Sequence, residues 1–323
     1  MKTAKMLWIA MLSALLATGS VRAQDDFPNK PIHLIVPVPA GSGGDVRMRY
    51  FVQLAKQHLG WDMVIENKPG AGQSIGYAAA AKAAPNGYTL LVVSNNLTIN
   101  PYLQVNPGFD PFKSFALITQ AYQAPLALLV NANSEAKSVK DLVAMANANP
   151  KGLTYAHAGV GSTPFIAGEL LKQVTGMKAL PVPFKGDSEW LPDLMAGRVD
   201  FGLTGISTAG PLIKAGKIRA LAVTTKARAH ALPDVPSIAE SGFPSYDYMV
   251  LIGIVAPAGT PKPIIDKLNA GFRRIVQLPA YQEQTLATGA EPVGSLPEEF
   301  VALIRAHGKV AGDIAKSLDL KPE

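Results

Sequence analysis

The stretch Ile32-His33-Leu34-Ile35-Val36-Pro37-Val38-Pro39-Ala40-Gly41-Ser42-Gly43-Gly44-Asp45 decides how the chain is read. Its first five residues are an apolar run of strand length, its glycines a tight loop, and the apolar residues Phe51, Leu54, Ala55 and Leu59 beyond it follow helical spacing. Asp45 is placed to cap that helix and Gly60 to end it. The pattern then repeats, with a strand at 63–66, an alanine-rich helix at 75–84, the Asn86-Gly87 turn and a strand at 89–93. Strand, helix, strand, helix, strand in this order predicts a parallel α/β unit.

A second unit of the same construction begins near Leu126. A strand at 126–130 precedes Ser138-Val139-Lys140-Asp141, whose serine and acid form a capping pair for a helix through 148. A strand at 153–156 leads into Gly159-Val160-Gly161-Ser162-Thr163-Pro164 and a helix ending at Gly176, with Pro164 in its first turn. Further strands are expected at 179–184, 199–203 and 220–224. Beyond Pro244 come one strand, at 251–256, and helices from Pro261, from Pro279 and from about 296, the last with Ser295 and Glu298 as a capping pair. One strand is too few for a third sheet, so this tail is expected to return and complete the first unit. The predicted fold class is α/β, with two βα sheets joined by a hinge of two crossings near 122–125 and 242–248. The expected domains are 24–123 plus 246–323, and 124–245.

The 323 residues suit two domains, and a composition of 48% hydrophobic and 17% charged residues is that of an ordered globular chain. With no cysteine, disulfides, zinc-thiolate sites, iron–sulfur clusters and thiol nucleophiles are excluded. Lys2 and Lys5, the apolar run from Met6 to Ala17 and the small residue Ala23 read as an export signal cleaved after Ala23, because the run is too short to span a membrane. Removing it takes the basic residues from 30 to 27 against 24 acidic ones, a charge of +3. That is too little for a nucleic-acid partner.

The loop Ala40, Gly41, Ser42, Gly43, Gly44, Asp45 lies between a strand and a helix, where backbone N–H groups gather at the positive helix end, so it reads as an anion cradle. The alternative is a tight turn without a ligand. Asp45 stands where a nucleotide-binding loop needs lysine, and the glycines miss the G-x-G-x-x-G spacing. The second loop, with Gly159, Gly161, Ser162 and Thr163, adds hydroxyls, and two such loops at strand ends can face one cleft. Ser94, Asn95, Asn96, Lys185, Gly186, Asp187 and Thr204 also fall at strand ends and complete the candidate ligand site. The guest that suits this set is a carboxylate. Catalytic readings are poorer. The five histidines form no H-x-x-x-H or H-E-x-x-H pair, so no metal or cofactor is expected. Gly205-Ile206-Ser207-Thr208-Ala209-Gly210 misses the nucleophile-elbow spacing. A serine hydrolase using Ser162 with His157 as base remains the alternative function. Asp193 and Asp200 read as solvated or capping acids, and Trp190 as a residue that can stack on a ligand.

Several ordered segments carry a family resemblance: the opening strand and glycine loop, Glu66-Asn67-Lys68-Pro69-Gly70-Ala71-Gly72, Pro85-Asn86-Gly87-Tyr88-Thr89-Leu90, Lys214-Ala215-Gly216-Lys217-Ile218-Arg219-Ala220, Leu232-Pro233-Asp234-Val235-Pro236, Ala256-Pro257-Ala258-Gly259-Thr260-Pro261 and Gly289-Ala290-Glu291-Pro292-Val293-Gly294. Together the chain resembles the Bug family, the tripartite tricarboxylate transporter substrate-binding proteins similar to TctC. The resemblance implies a monomeric periplasmic binding protein of the Venus flytrap kind, which holds a small carboxylate between its domains and delivers it to integral-membrane permease subunits. It implies that backbone amides and hydroxyls of the two glycine loops hold the ligand. The sequence departs from the family pattern at Phe184-Lys185-Gly186, where a tyrosine is usual first, at Gly44, where a hydroxyl is usual, and at Asp187, where a small residue is common.

Overall fold

The structure, a computed structural model, describes residues 27–322. The expected export signal, 1–23, lies outside the described residues. Strand β1 (Ile32–Val36) is followed by α1 (Gly43–Leu59), β2 (Met63–Asn67), α2 (Ser74–Ala81), β3 (Thr89–Ser94), α3 (Asn96–Leu103) and β4 (Phe115–Ala124). The chain then continues through β5 (Leu126–Asn131), α4 (Val139–Ala148), β6 (Leu153–His157), α5 (Thr163–Thr175), β7 (Ala179–Pro183), α6 (Asp187–Met195), β8 (Phe201–Gly205), α7 (Ile206–Lys214) and β9 (Ile218–Val223). Its last part is β10 (Val250–Pro257), α8 (Lys262–Val276), α9 (Pro279–Ala287), the two-residue β11 (Glu291–Pro292) and α10 (Pro297–Ser317).

These strands form two sheets, one in the order β11-β4-β10-β3-β1-β2 and one in the order β7-β6-β8-β5-β9. In the first, β1 lies parallel between β2 and β3; in the second, β6 lies parallel between β7 and β8. An antiparallel strand follows in each, β10 against β3 and β5 against β8, and each is the first strand after the chain changes sheets. The two sheets therefore repeat one topology. Their glycine loops, after β1 and after β6, occupy corresponding places at the carboxyl ends of the parallel strands, where open α/β sheets bind ligands.

Packing follows the strand period. Ile32, Leu34 and Val36 share one face and pack with Met48, Phe51 and Leu54 of α1 and with Leu268 and Phe272 of α8. Ile35, Leu91 and Val93 face the other way, onto Tyr77 of α2 and onto Phe300 and Ile304 of α10. Each such side chain, fully buried, contributes about 1.5–3 kcal/mol relative to exposure. Helix α10 does more than cover the first sheet. Its Ala311 and Ile314 join Phe165, Leu170 and Tyr155 in the core around the second sheet, as do Ile99 and Leu103 of α3.

The two sheet changes lie side by side. Ala124 of β4 pairs with Val250 of β10, and Thr224 ties the two segments by accepting from Tyr248 N at 3.0 Å and donating its own N–H to Leu126 O. Asn95 is buried here: its amide nitrogen lies 2.9 Å from Met249 O and 3.1 Å from His307 Nδ1, and its oxygen accepts from Leu251 N. The His307 ring stacks on Tyr248 at 4.8 Å, and burial pushes its pKa down to about 4.

Three local expectations need correction. Helix α10 is closed by Glu299, whose carboxylate accepts from Leu296 N, while the Ser295 hydroxyl accepts from Gln120 N across the sheet, so Ser295 and Glu298 are not its capping pair. Strand β4 and helix α3 were not expected. The first carries Thr119 and Gln120 in its middle and Gln123 near its end, and Thr119 finds its partner far along the chain, at Ser295 O. The second contains Pro101 and opens on asparagines, which read as a turn.

Candidate functional site

Helix α1 is capped by Ser42, whose hydroxyl accepts from Asp45 N at 3.4 Å, so the expected capping role of Asp45 falls to Ser42. Asp45 instead is buried and knots the loop. Its Oδ2 accepts from Gly41 N at 2.8 Å and from Arg49 Nε at 2.8 Å, and its Oδ1 accepts from Asn67 Nδ2 at 2.8 Å. The Arg49 guanidinium above all, with Asn67 and Gly41, holds this carboxyl down at about 2 against the opposing effect of burial. Gly41 has φ +80°, which glycine adopts without cost. Gly43 and Gly44 have no such torsion, and a Cβ on Gly43 would meet nothing within 4 Å. They leave an open approach to their own N–H groups, the first two of α1, for which no acceptor is found among the described residues, whereas the next two, of Asp45 and Val46, bond to Ser42.

Beside this helix end a small cavity, about 30 Å³, opens between Val36, Gly44, Met48, Gln73, Ser94 and Tyr122. That is room for a water or two. Ser94 stands at its wall but is fully engaged, donating to Gln73 Oε1 at 2.8 Å and bonded to the Tyr77 hydroxyl, whose pKa burial raises to about 12. Gln73 was not singled out from the sequence. Its backbone is left-handed, φ +79°, at the end of a run of positive torsions from Gly70. Asn96 and Asn100 of α3, and Gln104 just after it, hold that run by donating to Gly72 O and Ala71 O. With its oxygen taken by two hydroxyls, Gln73 keeps its amide N–H groups for the cavity. The only hint in the sequence was Gly70-Ala71-Gly72, a third glycine loop before a helix.

In the second unit Ser162 caps α5, accepting from Phe165 N and donating its hydroxyl to Gly159 O at 2.7 Å. Gly159 and Gly161 have φ +93° and +80°. Gly161 is pressed against Leu103 and Ile99 of α3, so this loop reaches across to the first unit. Thr163 opens the helix beside it. His157 is buried against Phe165 and Tyr155, burial lowers its pKa, and its Nδ1 has no partner among the described residues. The hydrolase alternative thus finds no support, since the Ser162 proton goes to a carbonyl and not to His157.

Of the remaining candidates, Lys185, Gly186, Asp187 and Thr204 lie along the second sheet's carboxyl edge, and Asn95 and Asn96 follow β3 of the first. Asp187 accepts from Thr204 Oγ1 and from Trp190 Nε1, fixing α6 to β8. Trp190 is wholly buried, which corrects its expected stacking on a ligand. Lys185 is exposed beside Gly186, with its backbone N–H held by Glu189. Asn96 bonds to the Gly72 carbonyl, and Asn95 to the crossing segments described above. Asp193 pairs with Arg198, and Asp200 accepts from Thr154. Among the described residues no group of three or more potential metal ligands is found, and no helix is long and apolar enough to cross a membrane.

The model of the tripartite tricarboxylate transporter family receptor, TctC, matches residues 48–320. The chain belongs to this receptor family. BugT of Bordetella pertussis is 31% identical to the receptor over 90% of this chain and 91% of its own. A TctC solute-binding protein from Polaromonas, solved without ligand, superposes with a TM-score of 0.83 at 25% identity, covering 90% of the receptor and 99% of that protein. An R. palustris protein solved with adipate superposes at 0.73 with 30% identity, over 92% of the receptor and 100% of that chain. MatC of Rhodopseudomonas palustris with bound malate superposes at 0.69 with 28% identity, over 90% and 100%. The receptor thus has the two-lobed fold of solute-binding proteins.

Proposed function

We propose that the receptor is a periplasmic solute-binding protein, without catalytic activity, that captures a small carboxylate between 24–123 plus 246–323 and 124–245 and passes it to membrane permease subunits. The observation that carries this reading is the pair of helix N-termini, α1 and α5, set at equivalent edges of two sheets that repeat one topology. Each helix end favours an anion by about 0.3–1 kcal/mol when exposed, and by more when closure removes water. The Gly43 and Gly44 N–H groups and the Gln73 amide take one carboxylate at the cavity of the first lobe. The loop 159–163 closes on the ligand from the second. Ser94, Asp45, Asp187 and Thr204 act behind this surface by fixing the groups that touch the ligand.

The malate and adipate held by two relatives support a carboxylate as the ligand class. The signal-like pattern of residues 1–23 supports delivery to the periplasm.

Thermal unfolding of residues 24–323 against mono-, di- and tricarboxylates tests the reading. A ligand at 100 times its dissociation constant adds about 2.7 kcal/mol, a clear rise in melting temperature. Small-angle scattering with the ligand found should show a more compact particle. A flat panel, or a bound ligand without compaction, would refute the reading.

A further inference from the structure

Arg47 lies at the start of the second turn of α1, two residues past the knot at Asp45, and was not among the residues singled out from the sequence. Its guanidinium carbon stands 4.6 Å over the ring of Tyr122, and its Nη2 donates to Thr288 Oγ1 at 3.0 Å. Tyr122 is a wall of the cavity at the α1 end. Thr288 precedes Gly289, and a Cβ on Gly289 would lie 3.2 Å from Ser207 N at the start of α7. The guanidinium is therefore set between the cavity of one lobe and a helix N-terminus of the other.

Both partners of Arg47 are neutral. Among the described residues it has no carboxylate within ion-pair distance, whereas Arg49, two residues on, is paired with Asp45. The nearby acid of β11, Glu291, is turned to Gln123 Nε2 and to His230 N. A half-buried cation steered by a hydroxyl and an aromatic face keeps most of its donors for an anion, and the guanidinium fork matches a carboxylate.

We propose that Arg47 binds a second carboxylate of the ligand, so that the site selects dicarboxylates over monocarboxylates of the same length. This rests on the reading of the cavity as a carboxylate site. The first carboxylate occupies the α1 end, and the chain of the ligand runs along Tyr122 to the guanidinium.

Calorimetric titration with matched pairs tests this: succinate against butyrate, glutarate against pentanoate, adipate against hexanoate. The expected result is a dicarboxylate bound at least about tenfold more tightly than its partner, the size of one charge-assisted hydrogen bond. Arg47→Gln should bring the two affinities together by weakening the dicarboxylate alone, and Arg47→Lys should restore part of the difference. Thr288→Val, which releases the guanidinium without removing it, gives a milder loss of the same selectivity and serves if Arg47→Gln does not fold. Equal affinities in the unaltered receptor, or a dicarboxylate preference kept in Arg47→Gln, would overturn the proposal while leaving the carboxylate site standing. Binding of no acid in any pair would overturn the carboxylate reading itself, and this proposal with it.

Discussion

Replacing Asp45 by alanine removes the acceptor of three hydrogen bonds from a buried position. Arg49 is half exposed and can turn to water, so its loss is cheap. The Gly41 N–H and the half-buried Asn67 amide each lose a hydrogen bond to a charged acceptor, worth about 1.5–3 kcal/mol, part of which water at the exposed Gly41 returns. Taken together, Asp45→Ala should cost roughly 2–4 kcal/mol, which lowers the melting temperature of a lobe this size by roughly 4–16 °C. Asp45→Asn keeps the shape but presents an N–H₂ group where only donors wait. If the amide faces Asn67, that side chain cannot simply rotate, because its Nδ2 also donates to Val38 O and its Oδ1 accepts from Arg49. The asparagine variant should thus lose a large part of the same stability. The pH dependence has a definite sign. A carboxyl held at about 2, below its ordinary 3.8, stabilises the fold above pH 3.8 and loses that contribution as the pH falls toward 2. Calorimetric melting from pH 2 to pH 7 should therefore show a falling limb below pH 4 that is shallower in Asp45→Asn. An alanine variant melting within about 1 °C of the unaltered receptor at pH 7 would refute the reasoning, because donors assigned to Asp45 would then have other acceptors.

Gly43→Val should leave the melting temperature of the ligand-free receptor unchanged, since its Cβ meets open space, and abolish the ligand-induced rise; retained binding would move the cradle elsewhere. Gly161→Ala should cost about 1–2 kcal/mol for the left-handed backbone, plus an overlap with Leu103 that Leu103→Ala relieves. Denaturant titration of the four variants of that cycle should show this coupling, and simple additivity would remove the contact between lobes. His307 is held neutral, its pKa near 4 against an ordinary 6.5, so its share of stability is complete above pH 6.5 and is lost as the pH falls toward 4. His307→Gln should remove a fall in unfolding free energy of roughly 3 kcal/mol over that window, read from urea titrations at each pH, and an unchanged pH slope would place the titration on another group.

The strand-loop-helix passages were legible because local and tertiary preferences agree there. Around Ile32–Val36 the apolar run, the glycines and the helix-ending Gly60 all favour the same structure, and the repeat around Gly159–Thr163 has the same consistency. What stayed hidden depends on partners remote in sequence. Strand β4 is held by Ser295 and by β10, and neither announces itself between 115 and 124. The role of Asp45 is set by Asn67, 22 residues away, and capping was the nearer explanation. Gln73 and Arg47 carry ordinary polar side chains, and only the assembled edge of the sheet shows that Tyr122 lies between them. Asn95 looks from the sequence like one more donor at a strand end, and its partners at Met249, Leu251 and His307 become visible only when the returning segment lies beside it.

Helix α10 starts on one lobe and ends in the core of the other, which bears on how the receptor can be divided. The segment from Leu126 to Val223 contains a whole sheet and looks excisable as a free-standing unit. Cut out, it would lose Ala311 and Ile314, together with Ile99 from α3, and leave an apolar face of Phe165, Leu170 and Tyr155 uncovered. Such a fragment is expected to aggregate unless those positions are made polar. The carboxyl terminus is for the same reason a poor place for a rigid fusion, since strain at Ser317 is felt in both lobes through one continuous rod of backbone.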